Sequence, residues 1–158
     1  MTEERGQAEY YMREALRLAA AAAEEGEVPV GAVIVRKGEI IGRGSNKTIA
    51  LKDPTAHAEM LALRDALPAA GGWRLPDCDM YVTLEPCAMC AGALVHTRIR
   101  RLYIGTADPK SGACGSLLDV TGHPGLNHHP EVQTGILQEQ CADVLKTFFR
   151  ELRRKKHE

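Results

Sequence analysis

The chain has 158 residues, 44% hydrophobic and 26% charged, which suits one domain over residues 1–158 with a single buried core. No apolar run approaches the roughly 20 residues that span a bilayer, and the polar, acidic start "MTEERGQAEY" is not a secretory signal, so the expected setting is cytoplasmic, away from membranes. With 20 basic and 21 acidic side chains the net charge is −1, so any attraction to nucleic acid must come from a local patch such as "RELRRKKHE" at 150–158; five cysteines, an odd number, argue against a disulfide framework.

In chain order, residues 8–23 are rich in Ala, Leu and Glu, with Ala15, Leu16, Ala19, Ala22 and Ala23 at helical spacing, and Gly26 ends that helix. Val33–Val35 and Ile40–Ile41 flank Lys37-Gly38 and predict a β-hairpin. "DPTAHAEMLALRDAL" predicts a helix with Asp53 as its cap and Pro54 in its first turn. "DMYVTL" is a short buried strand that runs directly into a helix beginning at Pro86, "PCAMCAGALVHT", and "RRLYIGT" is the next strand. Residues 107–130 form a long irregular segment, with a helical turn expected near Leu117; loops of this length inside a domain are commonly functional. A strand at 131–134 precedes a helix from about Ile136, whose apolar stripe is Leu137, Cys141, Val144, Leu145, Phe148 and Leu152. The order α-β-β-α-β-α-β-β-α predicts an α/β fold, a three-layer α/β/α sandwich with one mixed sheet of about five strands and helices on both faces.

Cys87 and Cys90, at i and i+3, share one face of their helix, and the helix N-terminus there favours the thiolate that binds metal. A redox pair, half of a structural zinc site and part of a catalytic zinc site all use this spacing. A structural site normally needs four protein ligands, and Cys78, Cys114 and Cys141 stand apart, as small core residues do. A catalytic site needs three ligands and one open position. "TAHAEM" offers His57 at the start of the preceding helix with Glu59 two residues later. His-x-Glu, then a strand, then Pro-Cys-x-x-Cys is the zinc-deaminase pattern, in which the glutamate moves protons without ligating the metal.

Together with "EVPVGAV", "DPTAHAE", "YVTLEPCAMCAGA", "GSLLDV", "HPGLNH" and "FFR", the chain resembles the cytidine-deaminase superfamily and, within it, the bacterial tRNA-specific adenosine deaminases. The resemblance runs over nearly the whole length. It implies the cytidine-deaminase-like fold, one Zn2+ per subunit held by His57, Cys87 and Cys90, and Glu59 as the catalytic proton shuttle. It implies that Glu27, Val28 and Pro29 form the nucleoside pocket and that Asn46 hydrogen-bonds the base or its ribose. Asp108 and Lys110 from the long loop, and Phe149 and Arg150 from the last helix, would meet the nucleotides beside the target. Taken alone, Asn46 and Asp108-Pro109 are also ordinary turn residues, and Phe148 and Phe149 point about 100° apart on a helix, so they cannot both face inward. The implied reaction is hydrolytic deamination of adenosine to inosine at the wobble position of a tRNA anticodon stem-loop, by a homodimer. A deaminase of guanine or of a cytosine nucleoside on the same fold is the alternative. An inactive zinc-binding partner subunit and a thiol oxidoreductase are more distant ones; Glu59 argues against the former.

Overall fold

The computed structural model describes residues 2–157; Met1 and Glu158, the last residue of the basic segment, lie outside the described residues. The first helix, α1, spans Thr2–Glu24 and so starts a turn and a half before the predicted residue 8. Glu3 and Glu4 suit the positive end of its dipole, and Arg5 and Arg13 reach Glu9 along its exposed side. Ala8, Met12, Ala15, Ala19 and Ala22 form its buried stripe.

Strands β1 (Gly31–Arg36) and β2 (Glu39–Ser45) make the predicted hairpin, with Lys37 and Gly38 both at positive φ as a two-residue turn of this type requires. Helix α2 (Ala58–Ala70) follows, then β3 (Cys78–Leu84), α3 (Ala88–His96), β4 (Arg101–Thr106), β5 (Glu131–Gln133) and α4 (Gln138–Lys156). The sheet order is β2-β1-β3-β4-β5; β1 is antiparallel to both neighbours, while β3, β4 and β5 run parallel. The five-stranded mixed sheet with helices on both faces is therefore the predicted sandwich.

The two-residue period of the strands divides the core. Ala32 and Ile34 of β1, Met80 and Val82 of β3, and Leu102 and Ile104 of β4 join the α2 and α3 side. Val33 and Val35, Tyr81 and Tyr103 point the other way, with α1 and Cys141 of α4. Tyr81 and Tyr103 stack with ring centroids 4.4 Å apart. Strands covered on both faces explain the near-continuous apolar runs in the sequence. On β2, Gly42 and Gly44 let α2 lie against the strand backbone; a Cβ at Gly42 would meet the Ala62 carbonyl oxygen at 2.5 Å.

Four further features differ from the sequence reading. Asp53 is not the cap of α2: its carboxylate accepts from the N–H and hydroxyl of Thr55 in a turn, and the helix starts at Ala58 with His57 as N-cap. Pro86 precedes α3, whose N-cap is Cys87. The segment around Leu117 is not helical; it folds back through a bridge between Cys114 and Asp119. On α4 only Cys141 is fully buried, and Leu152 is exposed, so the apolar stripe is covered at its start and open toward its end.

Candidate metal and substrate site

β3 and β4 run parallel, so their carboxyl ends lie side by side, and the chain passes from β3 straight into α3. In an open α/β sheet, ligands bind at such ends. The N-terminus of α2 arrives at the same edge, and the N-caps of the two helices, His57 and Cys87, meet there. His57 Nδ1 lies 3.6 Å from Cys87 Sγ and 3.5 Å from Cys90 Sγ, and the ligand atoms of all three residues lie within 4.8 Å of one another. Bond lengths of about 2.0 Å to nitrogen and about 2.3 Å to sulfur in a tetrahedron put N and S roughly 3.5 Å apart, so this donor set fits zinc and leaves one position open.

The electrostatics agree. The hydrogen bond from Cys90, with the N–H groups at the start of α3 and the His57 charge, pulls the Cys87 thiol down to about 5 against the cost of its burial. The same contact, with burial and the nearby Glu59 charge, pushes Cys90 far up. The opposite shifts make Cys87 the readier thiolate of the two, and a bound divalent cation would favour the thiolate form of both. Glu59, in the first turn of α2, is 4% exposed, and burial raises it to about 7.

Glu59 lines a cleft of about 310 Å³ together with His57 and Cys87 of the candidate metal cluster. Its walls include Val28 and Asn46, which the resemblance placed at the nucleoside, Asp108, which it placed beside the flanking nucleotides, and Val30, Thr48, Leu84, Glu85 and Ser111, which the sequence reading did not name. Asn46 spends its Oδ1 on the N–H of Ala58 at 2.9 Å, which leaves its amide NH2 as the end that can donate to a ligand. Val28, Leu84, Asp108 and Ser111 also line an adjoining 670 Å³ cavity. That second space carries Lys110, Lys146, Arg150 and Arg153 around apolar Leu145 and Phe149. Phe149 is exposed and Phe148 half-buried, as their differing directions on α4 required.

Glu27 and Pro29 do not line the cleft; both are buried behind it. The Glu27 carboxylate, 1% exposed, accepts from the Ala50 N–H at 2.8 Å, the Ile49 N–H at 3.1 Å and the Thr48 hydroxyl at 3.3 Å. Burial works to raise its pKa, but these bonds and the Lys47 charge outweigh it, and the net shift is downward. Glu27 therefore shapes the pocket through the 48–50 segment. Glu85, itself on the cleft wall, holds the loop on the other side and was also missed. It accepts from the N–H groups of Asp108, Cys114 and Ser116 and from the Ser116 hydroxyl, and these bonds overcome burial to lower its pKa. An acidic residue directly after a buried strand was the available signal.

A profile for the cytidine and deoxycytidylate deaminase zinc-binding region matches residues 5–106. The chain is 49% identical over 150 residues to the tRNA-specific adenosine deaminase of Bacillus subtilis, covering 95% of this chain and 93% of that protein. It is 48% identical to the enzyme of the same name from Agrobacterium fabrum, over 91% of this chain and 95% of that one. Among solved structures, one from a study of A-to-I editing by tRNA:A34 deaminases at the wobble position of transfer RNA superposes with a TM-score of 0.83 at 47% identity, covering 86% of this chain and 99% of that chain. A guanine deaminase from Nitrosomonas europaea superposes with a TM-score of 0.74 at 26% identity, over 89% and 83%. With its histidine and two cysteines gathered at one sheet edge beside a buried glutamate, the chain belongs to the zinc-binding cytidine and deoxycytidylate deaminase family and, within it, to the tRNA-specific adenosine deaminases.

Proposed function

We infer that this chain is a zinc-dependent hydrolase that converts adenosine to inosine at the wobble position of a tRNA anticodon. The observation that carries this beyond the family is the pair of joined cavities: a small cleft at the ligand cluster, sized for a nucleoside, opening into a larger space with a basic rim and an exposed aromatic. A free base or nucleoside needs only the first. An RNA strand uses both, with phosphates at the cations and a base stacked on Phe149.

His57, Cys87 and Cys90 would hold one zinc per subunit. Zinc bound by three protein ligands supplies a Lewis acid that makes water nucleophilic near neutral pH. Glu59 takes a proton from the water that adds at C6 of adenine and delivers it to N1, which makes the ring electrophilic. Glu59 then takes the remaining proton from the C6 hydroxyl and gives it to the departing amino group, so that ammonia leaves and the C6 oxygen remains as the carbonyl of inosine. The burial of Glu59 keeps bulk water from competing for these protons. The Asn46 NH2 donates to the base or ribose, and Val28 walls the nucleoside, with Glu27 and Pro29 supporting that wall from behind. Asp108, Lys110, Phe149 and Arg150 take the flanking nucleotides. An anticodon loop already presents its bases unpaired, which lowers the cost of drawing one into the cleft.

The working unit proposed is a homodimer of single-domain subunits in the cytoplasm. Exposed Ile49, Leu51, Leu117 and Leu118 offer apolar surface for a second copy to cover. No helix among the described residues is long and apolar enough to cross a membrane. The deciding experiment supplies purified protein with an anticodon stem-loop, guanine and cytidine in parallel. Inosine formed at the wobble adenosine, with both small molecules untouched, is the expected result. Turnover of guanine or cytidine alone would replace this reading with that of a small-molecule deaminase.

A further inference from the structure

We propose that Glu85 is a positioning residue for this reaction: it fixes the 107–116 loop to the backbone that carries Cys87, and so sets where Asp108 and Ser111 stand around the reacting nucleotide. The proposal rests on the function given above.

Glu85 itself cannot drift. Its N–H bonds the Thr106 carbonyl at 2.9 Å, which continues the β3–β4 ladder by one residue, and Cys87 follows two residues on. Its side chain is 5% exposed and turns away from the apolar core toward a single loop. Oε1 accepts from the Asp108 N–H at 3.1 Å and from the Ser116 hydroxyl; Oε2 accepts from the Cys114 N–H at 2.9 Å and the Ser116 N–H at 3.1 Å. The Ala113 N–H adds a bond to the Pro86 carbonyl at 2.8 Å. The loop is thus moored to residues 85 and 86 and to the metal-bearing segment they begin.

The loop's interior is built to receive this carboxylate. Gly112 is buried, and a Cβ there would stand 2.5 Å from Glu85 Oε2, so no larger residue fits without displacing the carboxyl group. Between the moorings, the Asp108 carboxylate caps the N–H groups of Lys110 and Ser111, which makes that turn a preformed unit. A rigid turn anchored at both ends by one buried side chain moves when that side chain is altered, and it carries Asp108 and Ser111 with it.

Four donors converge on two oxygens. A glutamine keeps the shape of Glu85 but offers one accepting oxygen, and its NH2 would face N–H groups. Glu85→Gln should therefore release half of the loop, and Ser116→Ala, at an exposed position that will not prevent folding, should release less. The experiment measures zinc content, backbone amide exchange, and KM and kcat on an anticodon stem-loop for wild type and both variants. Zinc should stay at one per chain. Exchange at Asp108, Cys114 and Ser116 should quicken about tenfold in Glu85→Gln, with the core amides of β3 and β4 unchanged. KM should rise about tenfold while kcat moves far less, as expected where the bound strand is held less well and the reacting groups stay in place. Ser116→Ala should shift the same quantities in the same direction by a smaller factor. Unchanged exchange at the three amides, or a KM equal to wild type, overturns the proposal, as does loss of zinc from Glu85→Gln. If wild type fails on the stem-loop, the functional reading falls by itself, and the exchange rates still decide whether Glu85 holds the loop.

Discussion

Replacing Glu59 with glutamine tests the chemistry while leaving the packing alone. The side chain is 4% exposed in the first turn of α2, between Ala58 and the half-buried Met60, and glutamine fills the same volume. No cavity opens, and the three ligand residues keep their positions, so zinc content should be unchanged and the thermal midpoint should stay within a few degrees. Activity should not survive. A positioned acid or base contributes about 10²–10⁴-fold to a proton transfer, and the shuttle proposed for Glu59 makes two such transfers in succession, at N1 and at the leaving amine. The expected loss in single-turnover rate is at least about 10³-fold, equivalent to roughly 4 kcal/mol of lost transition-state stabilisation. Glu59→Asp, which restores a carboxylate withdrawn by one methylene, should recover only part of the rate. The assay follows inosine formation in a labelled stem-loop under enzyme excess, with metal analysis on the same samples. A glutamine variant within tenfold of wild type would refute the shuttle, and one that loses zinc would make Glu59 a ligand.

The triple variant His57→Ala, Cys87→Ala, Cys90→Ala should retain essentially no zinc on dialysis, and metal analysis that finds one zinc per chain would remove the site. For Glu27 the folded pKa lies below the unfolded one, so its contribution to stability is complete above the unfolded carboxylate value of about 4.3 and is lost as the pH falls through the lowered folded pKa. Urea denaturation should accordingly show wild type exceeding Glu27→Gln at pH 6, with the gap closing as the buffer is acidified toward pH 3; a gap that widened in acid would contradict the assignment. Neutralising Lys146, Arg150 and Arg153 to glutamine removes three cations from the larger cavity. Each single-strand phosphate that is no longer neutralised should flatten the log–log salt dependence of stem-loop binding by about 0.7, and slopes equal to wild type would mean that the RNA lies elsewhere.

The metal site was legible because its chemistry demands particular side chains at particular spacings, and His57, Glu59, Cys87 and Cys90 carry that demand in their letters. The sheet was legible for a similar reason: strands buried on both faces leave long apolar runs. What the letters do not carry is which backbone N–H a side chain serves. Glu27 read as a pocket wall, Glu85 was given no role, and Asp53 read as a helix cap, because in each case the partners include main-chain N–H groups common to nearly every residue type. The starts of α2 and α3 show why this matters for function. An N-cap residue ordinarily turns its side chain back onto the helix's own unpaired N–H groups. At both helices the N-cap is instead a zinc-type ligand that makes no capping hydrogen bond, and in α2 one of the unpaired N–H groups, that of Ala58, is met by Asn46, just beyond the end of β2. His57 faces the cysteines without capping its own helix, and the Asn46 contact brings the amide NH2 proposed to meet the substrate close to the metal cluster. One hydrogen bond, invisible in the sequence, thus sets the distance between the group that would hold the nucleoside and the groups that would activate the water.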